Sequence, residues 1–182
     1  MKWELLCLTQ PGREAFLSRL QAILCPQLEE QPDVKMTIRI FDRQKDLGSN
    51  RQDLLEGAQG EYVNFIDDDD LVTDNYVREI LRGIDLDVDV VCVNAIHTTD
   101  GRQPKLVVDI HYQEWSETSL GYLRGVQFRD AVKRDIATMV PYPDIRFGED
   151  HAWTRAIEAR KLIKTWHLAK EPTYFHLYLV QK

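Results

Sequence analysis

Gly60-Glu61-Tyr62-Val63-Asn64-Phe65-Ile66-Asp67-Asp68-Asp69-Asp70 is the stretch from which the rest of the chain is read. Tyr62 to Ile66 is apolar and rich in strand-favouring residues, so it reads as a buried strand. It runs straight into four aspartates. Adjacent carboxylates repel one another and cost stability unless a cation or solvent offsets them. Side chains alternate along an extended segment, so Asp67 and Asp69 face one side. Two oxygens on one face suit Mg²⁺ or Mn²⁺, with substrate phosphate and water completing an octahedron. The plainer alternative is a solvated acidic turn that caps the next helix. The run's position at the end of a buried strand weighs against it.

Upstream, Trp3 to Leu8 reads as a strand. Pro11-Gly12 opens a helix reaching about Leu24, which Pro26 stops. Met36 to Phe41 is a second strand, Asp42 to Leu47 a polar loop, and Arg51 to Ala58 a short helix closed by Gly57 and Gly60. Downstream, Thr73 is suited to N-cap a helix through about Gly83. Asp89 to Asn94 and Leu106 to His111 are further strands, and Gln113 to Gly125 is irregular or mixed. A helix is expected over Arg129 to Thr138, a loop framed by Pro141 and Pro143, and a helix over Glu149 to Lys161. Ile163 to His167 and Thr173 to Leu179 are late strands. Alternating strands and helices imply a mostly parallel sheet covered on both faces. Ligands of such sheets bind at the carboxyl ends of the strands. Asp42 and Asp67 each follow an apolar strand directly, which places acids along one rim.

Composition narrows the classes. A chain of 182 residues suits one domain. Hydrophobic residues at 43 % and charged residues at 29 % are ordinary for a globular protein. No apolar run approaches the roughly 20 residues needed to span a bilayer. The apolar stretch at the N-terminus is too short for a signal peptide, so a cytoplasmic location is expected. Cys7, Cys25 and Cys92 form no CxxC pair and read as reduced thiols rather than a zinc site. A net charge of −7 leaves no basic footprint for nucleic acid, although a local basic groove for an acceptor stays open.

Two further segments carry chemistry. In Phe147-Gly148-Glu149-Asp150-His151-Ala152-Trp153 the glycine permits a tight approach and the acids open a helix. Such acids stabilise a helix dipole without further role. Alternatively, one carboxylate is a general base that takes the proton of an attacking hydroxyl. Leu47-Gly48-Ser49-Asn50-Arg51 is either a plain helix entry or a loop that holds a phosphate or nucleobase. A calcium EF-hand loop starting at Asp67 fails, because Val72 and Arg78 stand where Gly and Glu are needed. Asp68-Asp69-Asp70-Leu71-Val72 formally fits the nucleophile motif of haloacid-dehalogenase-like phosphatases, with Asp68 as nucleophile. Those enzymes usually carry it on the first strand, and here two strand–helix units precede it.

In order and spacing, Leu8-Thr9-Gln10-Pro11, Phe41-Asp42, Gly48 to Gln52, Gly60 to Asp70 and Gly148-Glu149-Asp150 resemble glycosyltransferase family 2. These are inverting enzymes of the GT-A fold, here of a compact bacterial or phage type. The likeness runs over roughly residues 3 to 160, with Gln52 standing where the family often has Asn. It implies an α/β fold of GT-A type, with a mostly parallel central sheet and helices on both faces. Residues 1–182 would form a single domain, 1–95 the nucleotide-sugar half and 96–182 the acceptor half.

Residue by residue, Thr9 and Asp42 match positions that hold base and ribose, with Asp42 accepting from uracil, which points to a UDP-sugar donor. Arg51 matches the basic position near base and diphosphate. Asp67 and Asp69 match the Asp-x-Asp acids, with Asp69 the direct ligand of Mn²⁺ or Mg²⁺, and Asp68 stands with them on the donor side. Asp150 matches the catalytic base and Glu149 the acid beside it. His176 is either a late metal or phosphate contact or a satisfied edge-strand histidine. Arg124, Arg129, Lys133 and Arg134 form a basic wall on the acceptor side or a solvated helix face. The acceptor, whether glycan, protein or modified nucleic acid, stays open. The alternatives to a transferase are the phosphatase and a non-catalytic nucleotide-sugar-binding module.

Overall fold

Strand residues of this chain divide by parity between two hydrophobic cores. In β1 (Trp3–Thr9), Trp3, Leu5 and Cys7 enter one core, and Leu6 enters the other. β3 (Tyr62–Phe65) sends Tyr62 into the first core and Val63 and Phe65 into the second. β5 (Val90–Thr99) places Val91, Val93 and Ala95 in the first and Val90 and Cys92 in the second. Strands buried on both faces need continuous apolar runs, which is why these segments show no polar alternation. The first core is closed by α1 (Glu14–Glu29) and α3 (Tyr76–Ile84). The second is closed by α2 (Leu47–Glu56), α4 (Arg134–Ala137) and α5 (Glu149–Ala159).

The computed structural model describes residues 1–109, 115–119 and 121–178. Among them one mixed sheet includes β2 (Val34–Ile40), β6 (Arg102–Asp109), β7 (Ser116–Thr118), β8 (Gly121–Arg124) and β9 (Ala131–Lys133). The order is β2-β1-β3-β9-β5-β6-β8-β7. β10 (Trp166–Tyr178) pairs parallel with the other edge of β5 and antiparallel with β4 (Leu71–Val72). The directions follow from the pairings: β1, β2, β3, β5 and β10 run one way, and the short β9 runs against its neighbours between β3 and β5. The core of the sheet is therefore mostly parallel, as expected. Among the described residues no helix is long and apolar enough to cross a membrane.

Several local expectations give way to tertiary contacts. α1 continues through Pro26 to Glu29. Gln27, just past the proline, donates to the Ile23 carbonyl at 3.0 Å and the Thr73 carbonyl at 2.9 Å, and accepts from the Val77 amide at 2.9 Å. Those bonds hold the last turn and tie it to the start of α3. α3 begins at Tyr76, because Leu71 and Val72 are drawn into pairing with β10 and Thr73 bonds the Thr173 carbonyl. Residues 131–133, expected in a helix, form β9 because β3 and β5 flank them with ladder partners on both sides. The two late strands merge into β10, with irregular register around Pro172, which has no N–H to give a ladder. β7 and β8 lie within the region expected to be irregular. His111, Gln113 and Leu179, ends of expected segments, lie outside the described residues.

Gln27→Ala leaves the Val77 amide and the Thr73 carbonyl without their partner. The expected loss is about 1–3 kcal/mol of unfolding free energy. Equilibrium denaturation measures it, and a midpoint equal to wild type would refute the tie.

Candidate active site

Along the acidic run burial alternates. Asp67 and Asp69 are partly exposed, and Asp68 and Asp70 are buried. The chain leaves β3 in a turn closed by the Asp70 amide on the Asp67 carbonyl at 3.2 Å, and Arg51, Arg13, Tyr174 and His176 divide the carboxylates among them. Asp68, 3 % exposed, accepts from Thr9 Oγ1 at 2.7 Å and from Arg13 Nε at 2.8 Å and a terminal guanidinium nitrogen at 2.6 Å. The same guanidinium reaches Asp69 at 2.7 Å. Asp70 accepts from the Tyr174 hydroxyl at 2.7 Å and lies 3.2 Å from His176 Nδ1. Asp67 accepts from Arg51 at 3.1 Å.

Arg51 joins distant parts of the chain. It is 5 % exposed, and its guanidinium lies 4.9 Å from the Phe65 ring centroid and 4.8 Å from that of Phe128. Its Nε donates to Glu149 Oε1 at 3.0 Å, so one cation links Asp67 to the first residue of α5. Burial pushes the Asp67 carboxyl up to about 6; Arg51 opposes the rise, and Asp70 and Asp69 add to it. Burial likewise raises Glu149, against the pull of Arg51. Burial alone would lower Arg51, but Asp67, Tyr142, Glu149 and Asp150 hold it above the ordinary arginine value. Burial would also lower His176, and the bond and charge of Asp70 outweigh it, leaving the imidazole raised.

Two clefts flank this framework. The larger, about 520 Å³, is lined by Leu8, Thr9, Gln10, Phe41 and Leu47 together with Asp67, Asp68 and Asp69. Arg13, Arg51, Arg146 and Phe147 complete its lining. The second, about 260 Å³, holds Asp150 with His97, Trp115, Tyr122, Arg124, Arg129 and His176.

Of the residues expected at the site, Thr9, Arg51, Asp67, Asp68 and Asp69 thus share the first cleft. Asp42 is exposed, one residue past the lining Phe41. Its backbone is locked by Asn50, whose side chain accepts from the Asp42 amide at 2.8 Å and donates to its carbonyl at 3.1 Å. Glu149 is buried behind Arg51, whereas Asp150 and His176 line the second cleft. The expected basic wall divides: Arg124 and Arg129 face the second cleft, and Lys133 instead pairs with Asp87 and Arg134 with the Ala58 carbonyl.

Sequence reasoning did not single out Arg13, Arg146, Phe147 or Trp115. Phe147 is 82 % exposed, an unusual state for a large aromatic, and it stands in the loop that leads into the acids of α5. That loop is seated on α2. A Cβ on Gly48 would lie 1.7 Å from the Pro143 carbonyl oxygen, so only glycine permits the approach. Gly148, at φ 75°, makes the left-handed turn that starts α5. Gly48→Ala is expected to displace the loop, lowering the melting temperature and weakening any ligand of the first cleft. Crystallography of the variant tests this, and an unmoved Pro143 would refute it.

Among the described residues no group of three or more His, Cys, Asp or Glu side chains is arranged to hold a metal by itself. Asp67 and Asp69 instead offer two part-exposed carboxylates on one wall of the cleft. That donor set fits a hard cation that draws its remaining oxygens from a bound phosphate and water.

Fold and site together define a GT-A-type glycosyltransferase domain. The chain belongs to glycosyl transferase family 2, whose model matches residues 24–154, more than half its length. Asp68, with both oxygens held by Thr9 and Arg13, is not free to act as a phosphatase nucleophile, and family membership removes that alternative. Among solved structures, S. aureus TarS 1-349 superposes with a TM-score of 0.71 at 15 % identity, covering 97 % of this chain. The same protein in complex with UDP-GlcNAc gives 0.71 at 16 % identity over 100 % of this chain, and in complex with UDP 0.70 at 15 %. This chain spans 60 % of the length of those TarS structures. Comparison with curated protein sequences finds no match.

Proposed function

We propose that this chain transfers a sugar from a nucleoside-diphosphate sugar, a UDP-sugar in the first instance, to an acceptor hydroxyl with inversion at the anomeric carbon. The observation that supports it is the Arg51 bridge, which couples the acidic wall of the larger cleft to the helix start that presents Asp150 to the second. A donor fits the first cleft and an acceptor the second. The structural neighbours bind UDP and UDP-GlcNAc on the same fold, which favours that donor class.

In this reading Thr9, Phe41 and Asp42 receive base and ribose, and Arg13, Arg51 and Asp67 to Asp69 line the diphosphate. A divalent cation held by Asp67 and Asp69, Mn²⁺ or Mg²⁺, would neutralise charge on the leaving diphosphate. Asp150 takes the acceptor's hydroxyl proton as its oxygen bonds the anomeric carbon. The bond to the diphosphate breaks with its electron pair leaving on that group, and attack from the opposite face inverts the centre. Glu149 stays buried against Arg51 and sets the start of α5. His176, bonded to Asp70, joins the end of the acidic run to the second cleft.

A thermal-shift panel of UDP, UDP-sugars and ADP with and without Mn²⁺ tests the donor assignment. A ligand at a hundred times its Kd adds about 2.7 kcal/mol to stability by mass action. UDP-sugars are expected to raise the melting temperature by several degrees, and Asp69→Ala to lose the Mn²⁺-dependent part. A flat response across the panel would overturn the assignment. Release of sugar from the bound donor in the absence of acceptor separates an enzyme from a binding module.

A further inference from the structure

Within the second cleft, the guanidinium carbon of Arg124 lies 4.0 Å from the Trp115 ring centroid and 4.7 Å from that of Tyr122. Aromatic contacts of this kind hold an arginine in place without using its N–H donors. No hydrogen bond or ion pair to another described residue engages those donors. The acids nearby are already paired: Glu117 with Lys105, and Asp109 with Arg129 at 2.6 Å. Arg129 lines the same cleft at 7 % exposure, and its Nε has no hydrogen-bond partner among the described residues. Partial burial pulls Arg124 below the ordinary arginine value, against the opposing effect of Tyr122. With Arg129 and His176 held by acids of their own, Arg124 is the cation of this cleft left facing the carboxylate of Asp150 without an ion-pair partner among the described residues.

We propose that the acceptor is anionic, and that Arg124 holds an oxyanion on it, a phosphate or a carboxylate, beside the hydroxyl that Asp150 deprotonates. The inference rests on the acceptor reading of this cleft. An arginine presents paired N–H donors that match either oxyanion, so the chemistry common to both is what the cleft recognises. The chemical step is that given above, with the proton passing to Asp150 and the electron pair to the diphosphate. Arg124 orients and discriminates; it exchanges no proton.

Tryptophan fluorescence of the full chain, saturated with UDP, provides the test, because Trp115 touches Arg124. The probes are methyl glucoside, methyl glucoside 6-phosphate and methyl glucuronide. The anionic probes are expected to bind about tenfold or more tightly than the neutral one, as a charge-assisted hydrogen bond implies. Rising salt should weaken them. Arg124→Gln should remove the preference, and Arg124→Lys should keep part of it. Preference for only one anionic probe identifies the oxyanion. Equal binding of the neutral probe, no binding by any probe, or a preference that survives in Arg124→Gln overturns the proposal. The donor assignment is read separately, from the melting shift produced by UDP.

Discussion

Asp150→Asn is expected to lower sugar transfer to acceptor by about 10²–10⁴-fold, the range that a positioned general base contributes. The substitution is isosteric, and Asp150 is partly exposed in the second cleft, where its Oδ1 accepts from the neighbouring His151 amide at 2.7 Å. Its charge favours the buried cation of Arg51 and disfavours the neighbouring carboxylate of Glu149, so the two effects oppose each other and the melting temperature should stay near wild type. The UDP-induced shift should persist, because the donor cleft is lined by other residues. The loss should therefore appear in turnover, not in nucleotide binding. Transfer at the wild-type rate by the purified variant would remove Asp150 from the mechanism.

Arg51→Ala is expected to produce the largest loss of stability, about 3–5 kcal/mol, because it leaves Glu149 buried with an unpaired charge. Glu149 is 3 % exposed, so water cannot replace the lost partner without opening the second core. Phe65 and Phe128 would also lose the cation between them. The double variant Arg51→Leu with Glu149→Leu should recover a good part of the stability, since removing both charges removes the penalty. Urea denaturation of wild type, Arg51→Leu, Glu149→Leu and the double variant measures the coupling. If the double variant were as unstable as the sum of its single changes, the ion pair would not be what joins α2 to α5.

The acidic run was legible from sequence as a cluster at the end of a buried strand. Burial does alternate along it, but in a turn rather than an extended strand end, and Asp68, though buried, lines the first cleft together with Asp67 and Asp69. Thr9 was named from the family resemblance alone; it ends β1 and lines the first cleft, with its hydroxyl donated to Asp68. Arg13 was not, because a single arginine two residues beyond a proline carries no periodic signal. Its partners Asp68 and Asp69 are more than fifty residues away. β9 was hidden for a related reason. Residues 131–133 have no strong strand pattern of their own, and their conformation is set by the two strands that leave a gap between them.

Sequence by itself determined the elements whose cause is local or periodic. These are the buried strands with apolar runs, the acids placed at strand ends, the glycine before Glu149, and through them the mostly parallel sheet with its ligand rim. Tertiary structure alone decided how the acids divide their work. Arg51 and Glu149, 98 residues apart, meet only because α2 and α5 pack on the same face of the sheet. Their contact turns Glu149 inward, and its neighbour Asp150 lines a different cleft. Burial decides whether a carboxylate must be paired or is left to meet a substrate, and burial is a property of the packed sheet and helices rather than of any short stretch of chain.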